Sequence, residues 1–269
     1  MALSIEIFQS ALRSEVLGRS ARFTESTAST NDDVRMDALG GAPHGHLVAA
    51  EIQTRGRGRL GRQWEAPAGV NLTFSLLLRP QLPVARIPSL TLCAAVGCRE
   101  AIREVTGAET EIKWPNDLMS GGRKLCGILS EMSLKSGTSQ PEADFAIIGI
   151  GLNVNADTDA FPPPLNTTAS SLKKICGREI CREILLASLM LHLEQAFSVG
   201  LAGLIDKYRQ YSATIGTRVR AELGTGLLEG RAEDITPEGS LLIRTDDGSL
   251  AEILSGDVFH LRPAAADGT

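Results

Sequence analysis

A chain of 269 residues is long enough for one large hydrophobic core, or for a main domain with a small second domain. Hydrophobic residues make up 43% of it and charged residues 22%, a composition that excludes a disordered or low-complexity chain. The formal net charge of −5 argues against general binding to nucleic acid or to an anionic membrane, so a phosphate ligand must be met by a local cluster of cations.

Targeting and metal signals are missing from the sequence. The N-terminal segment has neither the cationic flank nor the apolar core of a secretory signal, and no apolar run looks long enough to span a bilayer, so we expect a cytoplasmic protein. The 5 cysteines are an odd number without a CxxC pair, and the 4 histidines are scattered. We therefore expect free thiols and no metal held by the protein alone.

Helices and strands alternate in the first part of the predicted fold. Apolar periodicity, caps and turn residues delimit these elements. In chain order they are a helix at 3–17, a strand at 22–23, a helix from 29 to 39, strands at 46–52 and 71–78, and a helix at 88–105.

Short strands dominate the second part. The main domain is predicted to continue with strands at 111–114, 117–119, 124–133 and 145–150 and with helices at 178–199 and 204–211. Further short strands follow at 218–223, 228–232, 241–244 and 252–254, separated by Gly, Asp and Pro turns. We predict an α+β fold, with a main domain over 1–212 that has a mixed sheet with flanking helices, and a small β-barrel over 213–269.

The segment Gly56-Arg-Gly-Arg-Leu-Gly-Arg62, called the Arg/Gly loop below, formally matches the GxGxxG pattern of dinucleotide-binding proteins. That interpretation fails because Pro67 and Gly69 interrupt the helix that the pattern should open. Its arginines favour a loop that grips phosphate or carboxylate oxygens. The alternatives are a solvated basic loop and an RNA contact, and the acidic chain without interleaved aromatic residues weakens the latter.

Three more segments place polar residues at the ends of strands. They are Lys113-Trp-Pro-Asn-Asp117, Lys124-Leu-Cys-Gly-Ile-Leu-Ser-Glu131 and Gly149-Ile-Gly-Leu-Asn-Val-Asn155. Strand ends are frequent positions for functional side chains, and glycine allows a ligand to approach the backbone closely. Taken singly, however, each segment is a weak signal, because a turn with a buried tryptophan, a solvated lysine or a β-bulge would account for it.

Together with Ser29-Thr-Asn31 and Gln53-Thr-Arg-Gly-Arg-Gly-Arg-Leu-Gly-Arg-Gln-Trp64, these segments resemble biotin protein ligases in residues and in order, over about residues 22–262. The resemblance implies a class II synthetase-like fold with a C-terminal SH3-like β-barrel. It also implies that biotin and ATP, with Mg²⁺, give biotinyl-5′-AMP, from which biotin passes to a lysine of a biotin carboxyl carrier protein domain. Few residues precede the first motif, which suggests the monofunctional type without an N-terminal DNA-binding domain. Members of the family include monomers and homodimers.

Site residues also follow from the resemblance. The residues expected to carry the chemistry are Lys124, Arg57, Arg59, Asp117 and Lys113. Those expected to bind biotin are Ser29, Thr30, Asn31, Gln53, Gly56, Arg57, Arg59, Lys124, Gly127 and Gly149. Those expected to bind the nucleotide are Arg57, Arg59, Arg62, Trp64, Lys113, Lys124 and Asn153. Cys126 stands where many relatives have alanine.

Two other functions compete with this interpretation. A lipoate or octanoate protein ligase resembles biotin ligases in fold and also forms an acyl adenylate, but the Arg/Gly loop and the Lys-Trp-Pro-Asn-Asp segment favour biotin. A biotin-responsive DNA repressor would need a helix-turn-helix domain, and neither the sequence nor the net charge favours one.

Overall fold

The structure is a computed structural model that describes residues 2–261, apart from 65, 136, 138–140, 225 and 255. Residues 262–269 of the predicted second domain lie outside the described residues. The chain begins with α1 (Ile5–Ala11), β1 (Ala21–Thr27), α2 (Thr30–Leu39), β2 (Leu47–Gln53), β3 (Leu72–Leu78) and α3 (Ser89–Thr106). It continues with β4 (Glu111–Lys113), β5 (Asp117–Ser120), β6 (Arg123–Leu134), β7 (Ala143–Leu152), α4 (Leu165–Thr168), α5 (Leu172–Cys176) and α6 (Arg182–Tyr211).

Seven strands form the main sheet, in the order β1-β2-β3-β7-β6-β5-β4. β1 and β2 are parallel and the other neighbours are antiparallel, so the prediction of a mixed sheet is confirmed. Alternate residues of its central strands enter two different cores, as the two-residue period of a strand requires. Phe74 and Ile148 pack in the large core with α3 and α6, whereas Leu77 and Ile147 pack in a small core under α2.

α6 bears on two predictions. The helices predicted at 178–199 and 204–211 correspond to its two parts, which begin at Arg182 and are separated at Gly200, whose φ of 71° and ψ of 168° are not helical. By length and composition this is the one described helix that could cross a membrane, contrary to the expectation that no run is long enough. Half of its apolar window is buried, and Tyr208 is fully buried in the core it shares with α3. These are the properties of a core helix.

The C-terminal part of the chain forms a second sheet. It consists of β8 (Arg218–Leu223), β9 (Gly226–Ile235), β10 (Leu241–Arg244), β11 (Leu250–Ile253) and β12 (Asp257–His260). These five strands pair antiparallel in the order β11-β10-β9-β8-β12, so the predicted barrel is seen, within the described residues, as a sheet with two free edges. α6 ends at Tyr211 and β8 starts at Arg218, and we propose that the two domains divide between them.

Trp114 joins the two sheets. Its side chain is 1% exposed, and its indole Nε1–H donates to the carbonyl oxygen of Gly239 at 3.0 Å. Its backbone N–H donates to Thr214 Oγ1 at 3.0 Å. Because a buried indole N–H needs a partner, this contact fixes the strand end that carries Lys113 and Asp117 against the C-terminal sheet.

Candidate active site

A cavity of about 310 Å³ lies between the main sheet, the Arg/Gly loop and the edge of the C-terminal sheet. All the residues that the sequence singled out line it, except Gly56 and Asn153. Those lining residues are Ser29, Thr30, Asn31, Gln53, Arg57, Arg59, Arg62, Trp64, Lys113, Asp117, Lys124, Gly127 and Gly149. Segments far apart in the sequence therefore meet at one place.

Gly56 and Asn153 do not face this cavity. Gly56 lines a neighbouring cavity of about 480 Å³, and a Cβ there would lie 2.5 Å from the carbonyl oxygen of Trp64, so its place is in the turn of the loop. Asn153 is buried and accepts a hydrogen bond from Asn71 Nδ2 at 3.3 Å, while its backbone N–H donates to Leu125 O at 3.0 Å. In this structure both residues support neighbouring backbone, and neither reaches into the cavity.

One end of the cavity is a buried network of uncharged polar groups. The start of α2 places the backbone N–H of Thr30 2.8 Å from Gln53 Oε1 and its hydroxyl 2.7 Å from that of Ser75. Ser75 is fully buried on β3 and donates to Asn31 Oδ1 at 2.6 Å. Ser29 occupies the N-cap of α2 without a side-chain capping bond. This end can exchange hydrogen bonds with an uncharged polar ligand group.

Three glycines leave space for side chains in the wall of the cavity. A Cβ on Gly149 would overlap the side-chain amide of Asn31, and a Cβ on Gly151 would overlap the indole ring of Trp64. A Cβ on Gly127 would lie 3.1 Å from Lys124 Cε. Any larger residue at the first two positions would therefore displace a side chain of the cavity wall.

Lysines and a carboxylate form the opposite end. Lys124, near the start of β6, places its Nζ 2.7 Å from Asp117 Oδ1 on the neighbouring strand β5. Lys113 stands at the end of β4, and burial lowers its pKa, an effect that the charge of Asp117 opposes and that of Lys124 reinforces. The pairing of β4, β5 and β6 thus places two lysines beside one aspartate.

Each arginine of the Arg/Gly loop has a partner. Arg57 Nη1 and Nη2 donate to Asp32 Oδ2 and Oδ1 at 2.8 and 2.6 Å. Arg59 donates to Asn116 Oδ1 at 3.3 Å and to the carbonyl oxygen of Gly256 at 3.2 Å, and its burial lowers its pKa. Arg62 pairs with Asp257 of β12. The C-terminal sheet therefore holds part of the loop.

Some residues that line or support the cavity lie outside the predicted motifs. Ser75 lies in an apolar strand without a motif, and Leu165 and Asp257 line the cavity from α4 and β12. The one available signal was Asp257, a carboxylate placed between a glycine and an apolar pair. Cys126 is fully buried and lies outside the cavity wall, and a hydrogen bond with Cys98, together with burial, raises its pKa.

Comparison with known families defines the class of protein. Residues 21–153 match the biotin/lipoate A/B protein ligase family, and residues 214–261 match the biotin protein ligase C-terminal domain. Fold and site together thus define a ligase of the biotin and lipoate class.

Similarity to individual proteins is more specific than the match to the family models. A biotin--[acetyl-CoA-carboxylase] ligase of Mycobacterium tuberculosis is 35% identical over 266 residues, covering 94% of this chain and 95% of that protein. A bifunctional ligase/repressor BirA of Bacillus subtilis is 36% identical over 251 residues, covering 92% and 76%. A biotin protein ligase from Aquifex aeolicus in complex with biotin and ATP superposes with a TM-score of 0.77 at 28% identity, covering 91% and 100%.

The chain belongs to the biotin protein ligase family. The resemblance found in the sequence is confirmed, as are the expected fold class and the expectation of a ligase enzyme.

Proposed function

We propose that this protein joins biotin to ATP as biotinyl-5′-AMP and then transfers biotin to a lysine of a biotin carboxyl carrier protein domain. The proposal rests on one observation. A single cavity of about 310 Å³ has an uncharged hydrogen-bonding end and a cationic end. Biotin has the matching polarity, since its ureido group is uncharged and its valerate ends in a carboxylate.

The uncharged end also discriminates against the alternative substrates lipoate and octanoate. Thr30, Asn31 and Gln53 bring hydroxyl and amide groups to the cavity wall. Ser75 bonds Thr30 and Asn31, and Thr30 in turn bonds Gln53. A site built to hydrogen-bond its substrate rejects an analogue that leaves its buried polar groups unpaired. The dithiolane ring of lipoate or the alkyl tail of octanoate would leave these polar groups unpaired. A ureido group supplies both donors and an acceptor for them.

Adenylation requires two anions to meet. A carboxylate oxygen of biotin attacks the α-phosphorus of ATP, the new C–O–P bond forms, and the bond from the α-phosphorus to the bridging oxygen breaks to release pyrophosphate. Fixed cations stabilise the negative charge that gathers on the phosphoryl oxygens in the transition state. Lys124, Lys113 and Arg59 are the cations we propose for this role, with Arg57 on the acid end of biotin.

Nucleotide and Mg²⁺ would bind at the same end. Mg²⁺ is usually held by phosphate oxygens with one or two carboxylates, and among the described residues Asp117 and Asp257 are the carboxylates in the cavity wall. When it is bound, Mg²⁺ neutralises part of the triphosphate charge. Arg62 and Trp64 line the cavity beside these groups, and we propose that they contact the nucleotide.

Transfer needs a neutral amine. The lysine of the carrier domain attacks the acyl carbon of the adenylate, the amide bond forms, and AMP leaves with the bonding electrons. Asp117 is the carboxylate best placed to accept the amine proton or to orient the amine, because its side chain lies against Lys124 at the cavity wall. We propose that the carrier reaches this point from solution in the cytoplasm.

Asp117→Asn should slow transfer more than adenylation. We expect transfer from preformed adenylate to fall about 100-fold, the typical contribution of a general base, and adenylation to fall by less than about tenfold. Rapid quenching of the two half-reactions measures both. Asp144→Asn is the matched control, since it also removes a carboxylate paired with a cation, in this case Arg79 at 3.8 Å, outside the cavity. Equal losses in both half-reactions would contradict the proposed role of Asp117.

The whole function is tested by mass spectrometry of a carrier domain. With biotin and ATP the protein should add one biotinyl group to a carrier domain, and replacement of the acceptor lysine by arginine should prevent the addition. A carrier that gains lipoyl or octanoyl groups in preference to biotin would overturn the proposal.

A further inference from the structure

Arg57 of the Arg/Gly loop is clamped by two carboxylates from the body of the main domain. Asp32, in the first turn of α2, binds it through two parallel hydrogen bonds of 2.6 and 2.8 Å. Glu131, on β6, places Oε1 3.6 Å from Arg57 Nη2. Paired, coplanar hydrogen bonds are the strongest geometry for an arginine with a carboxylate.

The second carboxylate is itself held in place. Glu131 Oε2 accepts from Asn31 Nδ2 at 3.1 Å and from Arg35 Nη2 at 3.3 Å. Asn31 belongs to the uncharged end of the cavity and accepts from the buried Ser75. The clamp therefore connects the loop to the proposed ureido-binding groups through side chains of two rigid elements.

Opening the loop must break this clamp. Backbone hydrogen bonds from Trp64 N to Gly56 O, at 3.1 Å, and from Gly58 N to Arg62 O, at 2.7 Å, make the loop a unit that moves together. Arg57 is the loop arginine that binds carboxylates of the main domain, whereas Arg62 binds the C-terminal sheet. A loop that swings away from the cavity cannot keep Arg57 on Asp32, so the strength of this pair contributes to the lifetime of the closed loop.

We propose that Asp32 is a positioning residue that holds the Arg/Gly loop closed through Arg57 and thereby sets how long biotinyl-5′-AMP is retained. The inference rests on the proposed function. Asp32 makes no contribution to the chemical step itself. Its removal should speed the escape of the adenylate into solution while adenylation continues.

Release of biotinyl-5′-AMP in the absence of a carrier tests the proposal. Enzyme is loaded with radiolabelled biotin and MgATP, pyrophosphate is removed, and loss of the label is followed after addition of excess unlabelled biotin. Asp32→Asn, which keeps the size of the side chain and removes its charge, should release adenylate about three- to tenfold faster than the unsubstituted protein. Asp32→Glu should restore part of the retention because it supplies a carboxylate again.

Asp33→Asn is the matched control. Asp33 follows directly in the same first turn, so both substitutions remove one charge near the same helix N-terminus, but its partner is Arg22 at 3.9 Å and not the loop. Release should be unchanged in this variant. If both variants release adenylate equally fast, a general effect on α2 explains the result and the proposal is wrong.

Two further measurements distinguish an effect of Asp32 through Arg57 from a merely structural effect of Asp32. Asp32→Asn should have no additional effect in a protein that already carries Arg57→Ala, because Asp32 acts through Arg57. Added salt should speed release from the unsubstituted protein more than from Asp32→Asn, because the side chains of the pair are 41% and 42% exposed and open to screening. Additive effects of the two substitutions, or equal salt dependence, would overturn the proposal.

Failure of the inference differs from failure of the proposed function. If the unsubstituted protein forms no adenylate from biotin and ATP, the function is wrong. If it forms adenylate and Asp32→Asn retains it as long as the unsubstituted protein does, the function stands and the clamp does not control release.

Discussion

Lys124→Ala should lower the rate of biotin-dependent adenylation by about 100- to 1,000-fold, the usual cost of removing one preorganised group that stabilises transition-state charge. The lysine is the cavity cation nearest to Asp117, at 2.7 Å, and it projects from β6 beside Gly127. There it can contact both the carboxylate of biotin and the α-phosphate. Single-turnover formation of biotinyl-5′-AMP measures the loss.

Lys135→Ala provides the control for that variant. Lys135 directly follows β6 and pairs with one carboxylate, Glu142, at 2.9 Å, but it does not line the cavity. Its removal should leave adenylation within about twofold, as expected for an exposed ion pair. The fold of Lys124→Ala should remain intact because the lysine side chain is 38% exposed. Near-normal adenylation by a folded Lys124→Ala protein would rule out Lys124 as the essential cation.

Arg182→Ala should lower the free energy of unfolding by about 3–5 kcal/mol, which is the cost of leaving a buried charge without its partner. Arg182 begins α6 and binds both oxygens of Glu51 on β2, at 2.8 and 3.0 Å. It also donates to the carbonyl oxygen of Asn71 at 2.9 Å. The two charged side chains are only 6% and 8% exposed, so water screens the pair weakly.

Urea denaturation measures this change in stability. Arg178→Ala is the matched control, because Arg178 precedes α6 and is exposed, and its loss should change the free energy of unfolding by less than about 0.5 kcal/mol. The paired replacement of Glu51 and Arg182 by Leu and Met should cost less than Arg182→Ala alone, since neither buried charge then remains. A loss below about 1 kcal/mol in Arg182→Ala would show that the pair is not important for stability.

The sequence predicts the elements whose stabilising contacts are local or periodic. Apolar runs predict β3 and β7, and Ser29 and Gly107 mark the start of α2 and the end of α3 where the structure has them. α1 is shorter than predicted because Glu194 of α6 accepts hydrogen bonds from the backbone N–H groups of residues 15–17, which keeps them out of a helix. That contact joins residues about 180 positions apart and leaves no local signal.

The site residues likewise divide into those that the sequence predicts and those that distant contacts of the fold bring to the cavity. Motif residues such as Lys124 and Arg57 could be placed at the cavity because their chemistry is evident in the sequence. Asp257 could not, since it reaches Arg62 only after β12 pairs with β8. Asn153 was expected at the nucleotide from the resemblance, and that role stays a prediction, although in this structure its amide oxygen accepts from Asn71. The Arg57 clamp was likewise hidden, because Asp32 has no motif that marks it as a partner.

In the Arg/Gly loop, ion pairs with other parts of the protein change what the arginine charges alone would suggest. Its positive charges suggest mutual repulsion and mobility without ligand, but Arg57 and Arg62 each bind an aspartate and Arg59 binds neutral acceptors. Because of these pairs, part of the charge that a ligand carboxylate or phosphate would meet at the loop is already balanced by Asp32 and Asp257.

Exchange of labelled pyrophosphate into ATP tests the central claim most directly. The exchange occurs only if an acid and ATP form an adenylate reversibly, and it needs neither the carrier domain nor the second half-reaction. Exchange should depend on biotin and should be lost in Lys124→Ala. Exchange supported by lipoate or octanoate but not by biotin would contradict that claim.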